Sequence, residues 1–335
     1  MTDRKTPDRI ESDQLLERLQ PKLDELEKER QETRQSLLKL FAVIGAVTLV
    51  AVIAAAVALA LVTEASGALI GLFPLMIGAL VMFKFADGRQ KRWRARVAEA
   101  LVPEICEQFD GEMEYRADAS TDFVKPYTTL GLVGRWTRGE VQHLLHGEYR
   151  GRRFEMVHAD LRSGGNDNND SKVFKGFLLR IQTQASFEPG LYIRPNFGLF
   201  AKAFGKRAVP TGNKGFDDRF LVSTDDGQAL DSDQLNALFT PDWQQALLAI
   251  DETMGPMPIT NHSRLSAGLK YDAFYMTLDR SEVGRLRNLR ERSFPDVNHL
   301  LSSESALEES LRKMVDDVLV CPRVIDQLPE VRAAS

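Results

Sequence analysis

Hydrophobic and polar positions are distributed very unevenly along this chain. From Leu40 to Val62 it reads "LFAVIGAVTLVAVIAAAVALALV", 23 residues with no charge and no strong helix breaker. As a helix this run reaches roughly 34 Å, enough to cross a hydrocarbon core of about 30 Å. A short polar stretch, "TEASG" (63–67), separates it from a second apolar run, "ALIGLFPLMIGALVMF" (68–83). With Gly67 the second run spans about 17 residues, near the lower limit for crossing. Pro74 can kink it, which lipid-embedded helices tolerate when neighbours satisfy the freed carbonyl. A helix in a soluble core rarely needs so long an uncharged run, so the pattern predicts a two-helix transmembrane hairpin over 40–83, with spans at 40–62 and 67–83.

The first 39 residues are hydrophilic and carry both charge signs. Secretory signals begin with short basic stretches, so this is not the pattern of a cleaved signal peptide. Leu16, Leu19, Leu23 and Leu26 repeat at spacings of 3, 4 and 3, and the register continues through Arg30 and Thr33 to Leu37 and Leu40. That is an interrupted heptad. It fits either a short coiled coil leading into the first span or an amphipathic helix packed on its own domain. Pro21 is expected at a helix start or a kink.

Charge sets the orientation. The 63–67 turn has no Lys or Arg, whereas Arg34 and Lys39 precede the first span and "KFADGRQKRWRARV" (84–97) follows the second. The positive-inside rule therefore places both termini in the cytoplasm of a bacterial inner membrane. The basic run reads as an interfacial anchor on anionic headgroups, made of Lys84, Arg89, Lys91, Arg92, Trp93, Arg94 and Arg96. Nucleic acid is a disfavoured partner for the chain as a whole, whose net charge is −5 and pI about 5.7. Small residues mark both spans: Gly45, Ala51, Ala55 and Ala58 in the first, Gly67, Gly71 and Gly78 in the second. They allow close helix approach, either within the hairpin or between copies in a homo-oligomer. The N-terminal helix is a second candidate surface for self-association.

After the basic run, "RWRARVAEALVPEICEQF" (92–109) predicts a helix leaving the membrane, interrupted at Pro103, so that 84–110 forms a juxtamembrane helix. Beyond Asp110 the pattern changes to short alternating segments. "GEYRGRRFEMVHADL" (147–161) turns at Arg150–Gly151, "RSGGNDNNDS" (162–171) is hairpin-loop chemistry, and "KVFKGFLLRIQT" (172–183), "LYIRPN" (191–196) and "DRFLVSTDD" (218–226) read as strands. "SRLSAGLKYDAFYMTL" (263–278) reads as a β-hairpin. Helices are expected over Asp231–Ile250, broken near Thr240–Pro241, and from Ser303, where Leu307, Leu311, Met314 and Val318 share a face. The fold class is α+β: the N-terminal helix (1–39), the membrane hairpin, the juxtamembrane helix, a cytoplasmic mixed domain with an antiparallel sheet and packed helices (111–325), and a tail (326–335). In "NFGLFAKAFGKR" (196–207), Phe197, Phe200 and Phe204 could touch the membrane surface or dock into the domain.

Chemistry is sparse. Among five histidines, "HLLH" pairs His143 with His146, but the glutamate of H-E-x-x-H is absent and the spacing is one short. "DNND" (167–170) lacks the glycine and glutamate of a calcium loop, whose places fall on Lys172 and Leu178. No phosphate-cradling glycine loop or nucleophile elbow occurs, and no cofactor is expected. Cys106 and Cys321 form neither a disulfide framework nor a ligand spacing.

The sequence "HGEYRGRRFEMVHADLR", then "KVFKGFLLRI", "FDDRFLVSTDDGQAL", "LFTPDWQQALLAI" and "GLKYDAFYMTL", in that order, resembles the bacterial domain-of-unknown-function family 3137. The resemblance covers roughly residues 90–320 and implies a membrane protein with paired spans ahead of this domain, without an assigned activity or catalytic residues. The segment after Tyr192–Ile193 is longer and richer in Phe than the family pattern. The expectation is a binding or scaffolding module at the membrane surface, with an unknown protein partner. The rival reading is a membrane-tethered enzyme, a metal-assisted hydrolase using His143, His146 or His158.

Overall fold

A computed structural model describes residues 12–62, 68–107, 112–164, 171–197, 208–224, 232–254, 263–280 and 314–329. These fall into two compact units, a helical one over 12–101 and a sheet unit over 102–280 with 314–329.

The helical unit has two long helices. The first, α1 (Ser12–Val62), runs 51 residues, and the second, α2 (Ala68–Cys106), runs 39. At 1.5 Å per residue they are about 76 and 58 Å long. They pair antiparallel. Arg96 meets Glu29, Arg89 meets Ser36, Met82 lies by Gly45, and Thr48 lies by Gly78. Later positions on one helix thus face earlier ones on the other. Pro21 lies inside α1 rather than at its start, flanked by the buried Leu19 and Leu23. Pro103 does not interrupt α2, because it falls within the last turn, and the expected juxtamembrane helix is continuous with the second apolar run. The heptad face of α1 is buried at Leu19, Leu23, Leu26 and Leu37. Arg30, which breaks that apolar register, is also buried. It donates to both oxygens of Glu27, at 2.8 and 2.7 Å, and those bonds hold the Glu27 carboxyl below its usual range.

The sheet unit is a six-stranded antiparallel sheet. Strand β1 (Glu112–Asp118) pairs with β2 (Arg138–Tyr149), β2 with β3 (Arg152–Ser163), and β3 with β4 (Ser171–Pro195). At 25 residues β4 is the spine of the sheet. It carries β3 and then β5 (Phe220–Thr224) in succession, and it also pairs with β6 (Leu265–Asp279). The two strands expected at 172–183 and 191–196 are therefore one. The hairpin expected over 263–278 is a single strand. Its apparent turn is Lys270–Tyr271–Asp272, where Tyr271 has φ 52° and the register with β4 shifts on either side of Phe187. Partner residues lie on both sides of the shift, so β6 bends along β4 instead of reversing. The turn expected at Arg150–Gly151 is present. Both residues have positive φ, 51° and 73°, as a two-residue hairpin turn requires. Ser163 pairs with Ser171 at the base of the next hairpin, whose tip (165–170) lies outside the described residues.

Each sheet face has its own cover. On one face Val141, Val157, Ala159, Leu161, Phe174 and Leu178 form a cluster with Val124 and Tyr127, from the short helical segment Thr121–Val124 and α3 (Lys125–Thr129). Chain alternation turns Phe154, Met156, Phe177, Leu179 and Phe274 to the other face. There Trp243 of α6 (Pro241–Met254) packs between Phe187 and Phe274, at ring distances of 5.7 and 5.8 Å. The short helices α4 (Lys214–Asp217) and α5 (Ser232–Leu238) precede α6, with the break after Leu238 where Thr240–Pro241 places it. The last helix, α7 (Val320–Gln327), is clasped to the β2–β3 turn: Arg150 Nη1 lies 2.7 Å from Asp326 Oδ1, and Arg152 donates to the Pro329 carbonyl at 2.6 Å. The buried Asp317 binds Arg280 at 3.1 Å, and that guanidinium also lies over the Phe177 ring at 5.7 Å. The helix expected from Ser303 is described only from Met314, and its upstream part lies outside the described residues.

Candidate functional site

Two surfaces stand apart from ordinary packing. The first is on the helical unit. Among the described residues fifteen large apolar side chains are exposed, and thirteen of them lie between Leu38 and Val57 on α1 or between Leu75 and Phe85 on α2. Val50 is 66% exposed, Met76 71% and Phe83 72%. Scattered exposed apolar residues are normal, but a continuous band around two paired helices marks a lipid or protein contact. Within the band, helix contact runs through small residues. A Cβ on Gly78 would lie 2.5 Å from Thr48 Oγ1, and Gly45 faces the tip of Met82. Thr48 donates its hydroxyl to the Ile44 carbonyl at 2.7 Å, leaving no unsatisfied polar hydrogen there. Among the described residues one helix, within α1, is long and apolar enough to cross a membrane, and none of its most apolar window is buried.

The basic run sits on the uninterrupted continuation of α2, and its residues do different things. Lys84 is exposed. Arg89 donates to Ser36 Oγ at 3.2 Å, and Arg96 reaches both carboxylate oxygens of Glu29 at 3.2 and 3.4 Å. Lys91 lies 3.9 Å from Asp87, and Arg92 Nε donates to the Gly88 carbonyl at 3.3 Å. Arg94 is half-buried, and Trp93 is only 5% exposed. Phe197, at the end of β4, is 39% exposed, whereas Phe200 and Phe204 lie outside the described residues.

The second surface is a polar groove of ≈ 560 Å³ on the sheet unit. It occupies the end of the face that α3 leaves uncovered. Cross-strand register sets Glu114, His146, Glu155 and Arg180 in a row across β1 to β4, and Glu112, Glu148 and Arg153 in the next. His146 Nε2 stands 3.5 Å from Glu114, and Arg180 Nη1 stands 3.5 Å from Glu155. Gln182 and Asp272 close the far side. Glu112 and Glu148 are directly opposed, two like charges in one pair. Gly147 is required beside them, since a Cβ there would meet the Glu112 backbone carbonyl.

The histidines do not converge. A register shift between Gln142 and Leu145 separates His143 from His146 and puts His143 at φ 58°. His143 is buried, hydrogen-bonded to the Tyr115 hydroxyl at 2.8 Å, and burial pushes its imidazole down to about 4. His158 is buried edge-on to Phe177, and burial likewise holds it well below the ordinary range. His146 lies on the opposite face. Among the described residues no three of His, Cys, Asp and Glu are grouped as metal ligands. Both cysteines are buried, and burial pushes the Cys106 thiol up to about 12. The groove is absent from the sequence reading, because it is assembled from four strands. Its one local signal is the alternation Glu112–Glu114–Arg116–Asp118 in "EMEYRAD".

No family model matches the chain, and no curated protein does. Among solved structures it is similar to the mycobacterial trehalose monomycolate transport factor A, TtfA, at 9% identity over 73% of this chain and 98% of that one, with a TM-score of 0.30. That score is too low to define a shared fold.

Proposed function

We propose that this protein is a two-span inner-membrane protein with both termini in the cytoplasm, whose α+β unit is a binding or scaffolding module. The observation that carries the anchor is the apolar band. Thirteen exposed large side chains, even at about 1 kcal/mol each, amount to on the order of 10 kcal/mol of unfavourable hydration that lipid would remove. The band includes six exposed side chains of α2 beside seven of α1, which supports a second crossing, and the lysines and arginines at one end support the orientation. For the module, the polar groove supports a binding reading: it is open, charged and built on rigid strands rather than on a loop. Membership of family 3137 belongs to the same proposal and rests on the order of the quoted motifs.

The test of the anchor is carbonate extraction of membranes holding the full chain, combined with labelling of a cysteine placed at Ser66 in intact cells. Retention in the membrane and labelling by an impermeant maleimide are expected. A chain that washes off, or a Ser66→Cys thiol reached only after lysis, refutes it. For the module, proximity crosslinking from a photoreactive residue at Gln182, on the groove wall, should capture a partner that the same chain carrying E112Q/E148Q fails to capture. Equal capture by both refutes the groove as the binding surface.

A further inference from the structure

We propose that Lys39 and Lys84 are the residues with which this protein binds anionic phospholipid headgroups, and that Trp93, Arg94 and Arg96 of the same basic run do not touch lipid. The proposal rests on the two-span reading and divides the interfacial residues by position and by what each already holds.

Position follows from the continuity of α2. Phe83 and Phe85 are its last exposed large apolar side chains, and Leu38 is the first on α1. Lys84 and Lys39 therefore stand at the edge of the apolar band, one on each helix. The polar layer of a bilayer adds roughly 5–7 Å to each side of the hydrocarbon. Counted from Phe83 at 1.5 Å per residue, Arg89 stands about 9 Å out, Trp93 about 15 Å and Arg96 about 20 Å. A lysine stem can snorkel several ångströms towards phosphate, but it cannot cover the last two distances.

Engagement points the same way. Lys39 and Lys84 are both exposed, and among the described residues neither forms an ion pair with a carboxylate. The acid nearest in level, Asp87, lies 3.9 Å from Lys91 and is partly neutralised there. Arg89 and Arg96 cross to α1, where they hold Ser36 and Glu29. Trp93 is buried, so its ring cannot lie among headgroups. The basic run thus has two roles. Its membrane-proximal end, with Lys39 from the other helix, meets phosphate, and its distal end ties the helices together. A diffuse surface field attracts each such cation with about fivefold enrichment of anionic lipid.

The experiment uses the full chain in phosphatidylcholine nanodiscs with a minor fraction of spin-labelled phosphatidylglycerol, reading its preference over labelled phosphatidylcholine. The wild type should prefer the anionic lipid. K39Q/K84Q should lose at least fivefold of that preference, and R94Q/R96Q should keep it. Loss in R94Q/R96Q with retention in K39Q/K84Q, or no difference among the three, overturns the assignment. Competition by millimolar inorganic phosphate would make this an ion site rather than a headgroup site and also overturns it. Failure of the two-span reading shows separately, as protein that carbonate strips from membranes.

Discussion

Replacing Gly78 with alanine is the most direct challenge to the hairpin. The added methyl would lie 2.5 Å from Thr48 Oγ1, 2.9 Å from its Cγ2 and 3.3 Å from its Cβ. Threonine is stiff about χ1, and this hydroxyl is committed to the Ile44 carbonyl at 2.7 Å. Either the helices separate or Thr48 rotates and gives up that bond. Overpacking of this kind costs about 1–3 kcal/mol, and a side-chain hydrogen bond inside a bilayer is worth roughly 0.6 kcal/mol. G78A should therefore weaken the hairpin by about 2 kcal/mol. Thr48→Ala removes the two closest atoms and leaves only the 3.3 Å contact. In the double variant most of the loss should return, a coupling of about 1–2 kcal/mol. Reversible unfolding of the full chain in bicelles, followed by steric trapping, measures the four corners of the cycle. Gly45→Cys with Met82→Cys reports proximity by disulfide formation. Additive effects of G78A and T48A would show that the two helices do not cross there.

Acid should loosen the sheet unit. Burial holds His143 at about 4 against an ordinary 6.5, so the unfolded chain binds more protons between those values and stability falls as pH drops through that window. The ceiling is about 3 kcal/mol, and H143Q should flatten the slope in amide exchange of β2 and β3. An unchanged profile in H143Q would mean this histidine is not the titrating group. Asp317→Ala leaves Arg280 beside Phe177 without its carboxylate, and a loss of about 3 kcal/mol in chemical denaturation is expected, with D317N losing less. Equal, small losses in the two would place that pair at the surface. Gly176→Ala puts a methyl 2.0 Å from the Leu278 carbonyl across β4 and β6, so destabilisation of about 3 kcal/mol or more should appear as lost exchange protection along β6. Unchanged protection there would contradict the β4–β6 register.

Local chemistry in the sequence was enough for some elements and not for others. The Arg150–Gly151 turn and the break before Pro241 depend on neighbouring residues, so they could be read directly. The length of β4 could not. Its two halves are separated by "QASFEPG", whose glycine and proline resemble a stop, and only pairing with β6 shows that the strand continues. Lys270–Tyr271–Asp272 misleads in the same way, because a bend within a paired strand carries the polarity of a turn. The N-terminal leucines disclosed a buried face but not its partner, and Arg30 looked like an interruption until Glu27 was seen beneath it. The groove is a non-local object. Each of its carboxylates looks like any solvent-exposed acid until antiparallel register places Glu112 against Glu148.

The spine strand also sets an order of assembly. Residues 171–195 of β4 leave the ribosome long before 265–279 of β6, their partner along one whole edge. Throughout that interval the edge is an open template for any passing strand. The apolar helices are synthesised first, so under the proposed two-span reading a nascent chain held in lipid would wait for its missing strand while dispersed in two dimensions, with fewer sticky neighbours than in bulk solution.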